Sequence, residues 1–290
     1  MTSIAMRLPA LAAAAVSALA LASCGEPAAS VPAASVEEGA LDIAAPEITL
    51  TSSVANPARS EGNVARDQYR HPLETLSFFG LEPGMTVVEF APGAGYYAEI
   101  LSPFLSRTGG SYIATGKPMA ALADAETWGT PTYVEFGGES GSLAPAGTAD
   151  MVLTFRNMHN LLWSEGQIDK FMADSAAALK PGGVLGVVEH RADPRPETVV
   201  DGRTASDGYV AEATVIAAAE KAGLVLDAKS EINANPADTK DHPFGVWTLP
   251  PTLQTTAQYG GEADPSFDTS PYTAIGESDR MTLKFRKPAQ

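Results

Sequence analysis

Apolar and polar positions change their rhythm twice along the chain. Leu8 to Leu21 is an almost uncharged stretch of Ala and Leu, whereas Gly25 to about Pro57 is rich in Ala, Pro, Ser and Glu and keeps no sustained period. From about Asn56 onward, segments at helical spacing alternate with short β-branched runs. Ala65 to Phe79 reads as helix on both sides of a break at His71-Pro72, because proline disfavours the α conformation in the residue before it. Met85 to Phe90 is a short apolar run suited to a strand buried on both faces. A glycine-rich loop follows, then a helix from Tyr96 to Leu105 and, past Thr108-Gly109-Gly110, a strand from Ser111 to Ala114.

The alternation continues through strands at Thr132 to Phe136 and Met151 to Phe155, a helix from Ser164 to Leu179, and a strand from Val184 to Glu189. Lys180-Pro181-Gly182-Gly183 stops that helix. A helix from Val210 to Ala222 leads to a strand from Leu224 to Ser230, and the closing strand is Arg280 to Arg286. No internal repeat interrupts this order. Strands alternating with helices predict an α/β domain over residues 56–290, built on a doubly wound, mostly parallel, seven-stranded sheet. Its ligand-facing loops lie at the C-terminal ends of the strands. Residues 232–278, rich in Pro, Gly and Asp, exceed an ordinary connection and read as an insertion, either a lid or a disordered segment.

Charge narrows the partners. A formal net charge of −16 without any basic run excludes nucleic acid, whose phosphates such a surface repels. With 44% hydrophobic and 19% charged residues the chain buries a core, which excludes disorder over most of its length. The single cysteine, Cys24, excludes an intrachain disulfide framework and a cysteine-rich zinc site.

Residues 1–23 form a secretory signal pattern, with Arg7 before an apolar run shorter than the roughly 20 residues a membrane-spanning helix needs. Leu21-Ala22-Ser23-Cys24 resembles the bacterial lipobox, which implies cleavage before Cys24 and lipidation of its sulfur. Cleavage at an Ala-x-Ala site is the alternative. Residues 24–55 then form a flexible tether. The anchor is lipid alone, in the cell envelope, and Gly25 after the cysteine fits the periplasmic face of the outer membrane if the host is Gram-negative.

Val87-Val88-Glu89-Phe90-Ala91-Pro92-Gly93-Ala94-Gly95-Tyr96-Tyr97 resembles motif I of class I S-adenosylmethionine-dependent methyltransferases, an acid followed by G-x-G-x-G, with Ala91 at the first glycine's place. Phe136-Gly137-Gly138-Glu139-Ser140 resembles that family's loop after the third strand. Ala149-Asp150-Met151-Val152-Leu153 resembles the opening of its fourth strand, and Leu179-Lys180-Pro181-Gly182-Gly183 the turn before its fifth. Asp67 to Pro72, Arg156-Asn157-Met158-His159 and Asp279-Arg280 narrow the likeness to a little-characterised branch of predicted methyltransferases, over about Asn56 to Pro288. The resemblance implies a Rossmann-like sheet with an antiparallel final strand. It also implies S-adenosylmethionine held at Glu89, Ala91, Gly93, Gly95, Tyr97, Thr115, Glu139 and Ser140. One departure stands out: Tyr112-Ile113-Ala114-Thr115-Gly116 supplies no acid for the ribose hydroxyls. Thr115 offers one weaker hydrogen bond, a loss of about 1.5–3 kcal/mol. Either another group such as Asp124 compensates, or the pocket no longer favours this cofactor.

Methyl transfer needs positioning and sometimes a base. Arg156, Asn157 and His159 follow the fourth strand, where this fold meets substrate, and are the catalytic candidates, His159 as base. Bracing of loops by Arg156 and Asn157, with His159 as a helix cap, is the alternative. Glu189-His190-Arg191, ending the fifth strand, is open to both readings. No histidine pair shows metalloprotease or zinc-finger spacing, so no metal is expected. The nearest approach to a nucleophile elbow, Gly138-Glu139-Ser140-Gly141-Ser142, lacks its second glycine. The expected activity is methyl transfer to a small-molecule acceptor. The alternative is a non-catalytic or repurposed envelope lipoprotein that binds a small molecule in the same fold.

Overall fold

The computed structural model describes residues 48–289. Cys24, the expected signal peptide and most of the expected tether lie outside the described residues. Seven strands form one sheet: β1 (Thr86–Phe90), β2 (Ser111–Thr115), β3 (Thr132–Val134), β4 (Ala149–Phe155), β5 (Leu179–His190), β6 (Val225–Ser230) and β7 (Arg280–Arg286). Their order is β3-β2-β1-β4-β5-β7-β6. Every neighbouring pair is parallel except those of β7, which runs antiparallel to both β5 and β6, with Leu283 opposite Val187 and Lys229. The Rossmann-like sheet with an antiparallel final strand is therefore as expected. Strand order reverses between β1 and β4, which opens a crevice at their C-terminal ends.

Alternate residues of each strand feed two cores. Val87, Met151 and Leu153 join one face with α4 (Pro72–Phe79) and α5 (Ala98–Arg107). Val88, Val152 and Leu185 join the other with α8 (Gln167–Ala178) and α9 (Glu212–Lys221). Burial on both sides explains why the inner strands are continuous apolar runs. Gly186 in β5 lets Phe79 lie against the sheet: a Cβ there would sit 2.7 Å from Leu153 and 2.9 Å from the Phe79 ring.

The break at His71-Pro72 is real. α3 (Asp67–Arg70) ends at His71 in the left-handed region, φ 41°, and Pro72 opens α4, where its missing N–H costs nothing. Lys180–Gly183 loops out of β5, because Ala149 pairs with Leu179 and Met151 with Val184.

The tether was expected to run to residue 55, but α1 (Leu50–Val54) is helical and capped. Thr49 and Ser52 exchange side-chain hydrogen bonds with each other's backbone N–H at 2.9 and 3.0 Å. Ile48, Leu50 and Val54 then pack against the α4 and α5 core, so the folded unit starts earlier than residue 56. The segment between β6 and β7 is likewise pinned. Asn233 donates to Thr75 and Thr282, both at 3.0 Å, and Asp238 accepts from the Tyr209 hydroxyl and the Asp279 N–H.

Candidate functional site

A cavity of about 1270 Å³ opens at the crevice. Its floor is the loop after β1. Ala91 and Gly93 turn through the left-handed region there, φ 48° and 59°, and a Cβ on Gly93 would meet nothing within 4 Å. That positive φ is the reason a glycine suits the place Ala91 occupies. The Ala91 N–H donates to Thr115 Oγ1 at 2.8 Å. The Asn157 amide donates toward the Phe90 and Ala91 carbonyls at 3.1 and 3.2 Å, tying the end of β1 to the end of β4. Asn157 lines the cavity, and its Nδ2 also donates toward Thr154 Oγ1 and the Phe155 carbonyl at 3.2 Å, the bracing arrangement that was the alternative reading. Glu89 is buried beneath the loop and accepts from Tyr112 at 2.6 Å. Burial outweighs that hydrogen bond and pushes its carboxyl up to about 7.

His159 sits in α7 (Met158–Leu162), a short helix that sequence periodicity did not reveal. Its Nδ1 lies 3.0 Å from Oε1 of Glu189, a fully buried carboxylate at the end of β5. The same Oε1 accepts from the His190 N–H at 2.8 Å, and Oε2 accepts from the Met158 N–H. A carboxylate with only acceptors to offer holds the proton on Nδ1 and leaves the Nε2 lone pair of a neutral His159 free. His190, its ring tilted at 45° and 5.4 Å from that of His159, meets Ser278 Oγ at 2.5 Å; burial and then the neighbouring His159 and Arg156 push its imidazole well below the usual range. Ligand atoms of His159, Glu189 and His190 lie within 4.8 Å of one another. Both Glu189 oxygens are already spent on N–H donors, so this trio reads as a hydrogen-bonded dyad with a neighbour.

Four guanidinium groups gather on one side. Glu277 accepts from Arg66 Nε at 2.6 Å, Arg70 Nε at 3.0 Å and Arg280 Nη1 at 3.0 Å. Burial would raise this carboxyl, but Arg70, Arg280 and Arg66 outweigh it and hold it at about 2. Arg156, at a left-handed φ of 62°, lines the cavity, and its side chain has no hydrogen-bond or ion-pair partner among the described residues. Burial, then repulsion from Arg70, lowers its guanidinium to about 9, still charged at neutral pH. Tyr97 stacks on Phe155 with ring centroids 3.6 Å apart and forms part of the wall, burial pushing its hydroxyl up to about 12. Asp67 and Arg70, at ion-pair spacing in the sequence, do not pair: Asp67 binds Arg59 and the Tyr96 hydroxyl instead.

Part of the lining is aromatic. Trp163 and Trp247 lie 5.6 and 5.9 Å from the His159 ring, and Tyr259 stands 6.2 Å beyond Trp247. Trp247 and Tyr259 come from the 232–278 segment, which thus walls the cavity.

No family model matches the chain, and no curated protein sequence matches it. Solved structures are similar in fold. The cyclase SpnF is 16% identical over 83% of this chain and 93% of its own, with a TM-score of 0.49. A SAM-dependent methyltransferase from Aquifex aeolicus is 20% identical over 64% of this chain and 94% of its own, at 0.44. An arsenic(III) S-adenosylmethionine methyltransferase from Chlamydomonas reinhardtii is 15% identical over 84% and 74%, at 0.46. The chain's own strand order, mostly parallel with β7 antiparallel, is Rossmann-like.

Within that fold the cavity gathers Glu89, Ala91, Gly93, Tyr97, Arg156, Asn157 and His159, but it does not reach Gly95, Thr115, Glu139 or Ser140. Gly95 faces Met119, whose sulfur would lie 3.5 Å from a Cβ there. Thr115 is buried and braces the Ala91 loop by accepting its N–H. Glu139 is exposed, and Ser140 folds back on Gly137 in a local turn, its Oγ 3.0 Å from that N–H and 2.9 Å from that carbonyl. Asp124 does not compensate: it caps α6 (Ala125–Trp128) through the Glu126 N–H. Glu277, Trp163 and Trp247 were missed, and only their position near strand ends and in a long insertion hinted at them.

Proposed function

We propose that the protein binds S-adenosylmethionine on the Ala91–Gly93 loop and transfers its methyl group to a small acceptor beside His159. The observation that carries this reading is the Nε2 of His159, which has no hydrogen-bond partner among the described residues, on a ring held by Glu189 in the cavity that Ala91 and Gly93 also line. S-adenosylmethionine, when bound, supplies a methyl carbon on a sulfonium and leaves as a neutral thioether. The open space over Gly93 accommodates close approach by a ligand. His159 Nε2 accepts the proton that an acceptor hydroxyl, thiol or amine loses as its lone pair bonds to that carbon. Asn157 keeps the two strand ends in register so that both partners meet. A cavity larger than the usual 300–1,000 Å³ of a single-ligand site has room for two molecules.

The test is calorimetry with S-adenosylmethionine and its demethylated product. Binding of both is expected, lost in Gly93→Val, whose branched side chain cannot hold φ 59° without strain. Absence of binding at millimolar concentration sinks the reading. His159→Ala should keep cofactor affinity while losing turnover.

A second reading has its own support. Thr115 is committed to the loop, Asp124 to a helix cap, and no acid ends β2, so nothing found replaces the ribose-binding carboxylate. A repurposed binder of another small molecule would use the same cavity. Either way, lipidation of Cys24 would place the domain in the cell envelope. Incorporation of labelled fatty acid, abolished in Cys24→Ala, tests that.

A further inference from the structure

One corner of the cavity is short of negative charge. Arg66, Arg70 and Arg280 share one carboxylate, Glu277, and the neighbouring Arg156 pairs with none among the described residues, although the chain as a whole carries −16. Arg70 and Arg280 are 2% and 3% exposed, and Arg66 Nη2, Arg70 Nη2 and Arg280 Nε are buried without partners among the described residues. Buried cations that outnumber their carboxylate are poorly compensated, so this corner favours a further negative charge. Arg156 is the member placed to meet it, since it borders the cavity and its planar fork suits a carboxylate or phosphate. The Trp163 and Trp247 wall lies beyond His159.

We propose that the acceptor is an anionic molecule with a planar apolar body, its carboxylate or phosphate docked on Arg156 in the field of Arg66, Arg70 and Arg280, and its body against Trp163 and Trp247. This deepens the methyl-transfer reading and rests on it only for the word acceptor. The site itself is an anion site whatever reaction follows. With the charged head at Arg156 and the ring at the tryptophans, the reacting atom falls beside His159. Neutral molecules of the same shape leave the guanidinium cluster unbalanced and are rejected by the desolvation of Arg156.

The purified protein is titrated calorimetrically with benzoate, phenyl phosphate and neutral benzyl alcohol. Benzoate and phenyl phosphate should bind at least tenfold more tightly than the alcohol, and inorganic phosphate should compete with benzoate on the unmodified protein. Arg156→Gln should remove the preference, whereas Lys221→Gln, which removes a cation paired with Asp169 outside the cavity lining, should leave it. Equal affinity for benzoate and benzyl alcohol, or no binding of either anion at millimolar concentration, overturns the proposal. So does an Arg156→Gln variant that keeps the preference. If Arg156→Gln weakens S-adenosylmethionine but leaves 5′-methylthioadenosine and benzoate unchanged, Arg156 serves the cofactor's own carboxylate and the proposal falls. If the anions bind through Arg156 while S-adenosylmethionine does not bind, the anion site stands and the methyl-transfer reading falls.

Discussion

Glu277 carries the whole negative charge of the arginine cluster, so Glu277→Gln is the sharpest test of how the cavity is held together. The amide keeps shape and one acceptor but removes the charge. Two routes give the size of the loss. A carboxyl held at about 2 against an ordinary 4.5 represents about 3 kcal/mol of ionic stabilisation at neutral pH. Removing one partner of a buried ion pair costs about 3–5 kcal/mol by mutagenesis elsewhere. Out of the 5–15 kcal/mol typical of a domain, such a variant should fold but melt early. The sign with pH follows from the depressed carboxyl. Its contribution is complete above about pH 4.5 and is lost as pH falls toward 2, so the wild type should weaken over that window and the variant should not show this part of the slope. Urea unfolding from pH 2.5 to 7, with the slope on denaturant unchanged, measures both. A loss under about 1 kcal/mol at pH 7, or an unaltered acid limb, would refute the charge argument.

Other outcomes follow from single positions. Glu89, raised to about 7, is favoured neutral in the fold, so stability should fall by about 3 kcal/mol as pH rises from 4.5 to 7 and level off above. Urea titration should find that limb gone in Glu89→Gln, which should be the more stable protein at pH 8. Ala91→Gly should relieve the left-handed φ of 48° and raise stability by about 0.5–1 kcal/mol, read from the urea midpoint; a loss would mean that the loop tolerates alanine without strain. Gly186→Ala should cost about 1–3 kcal/mol through its collision with Phe79 and Leu153, and Phe79→Leu should recover part of it in a double-mutant cycle.

What the sequence disclosed depended on how local the cause was. β1 was legible because burial on two faces demands an apolar run, and β7 because Met281, Leu283 and Phe285 alternate with polar residues. The His71-Pro72 break was legible because proline acts on its immediate neighbour. α1 was not, since Thr49 and Ser52 make a capping pair without the usual Glu or Gln, inside an Ala and Ser background. α7 is too short for a helical period to show. At the site, the loop after β1 and the triplet Arg156, Asn157 and His159 were recognisable as contiguous motifs. The partner of His159, Glu189, lies thirty residues away, and Glu277 lies 211 and 207 residues from Arg66 and Arg70, so pairings of that kind exist only after the sheet has formed. Glu139 and Ser140 were carried by resemblance alone, and Ser140 instead closes a local turn.

The segment between β6 and β7 leaves and rejoins adjacent strands, and its two ends are stitched together. The Arg280 N–H donates to the Asn233 carbonyl at 3.1 Å, and Asn235 Nδ2 donates to the Glu277 carbonyl at 2.7 Å. Closing a loop whose ends are already joined costs little more when its length changes, about 0.6 kcal/mol per doubling. Trp247 and Tyr259 can therefore be exchanged for other walls by transplanting the stretch between those stitches. The sheet, the Ala91 loop and the His159–Glu189 dyad would remain as the fixed half, and ligand choice would become a property of a graft.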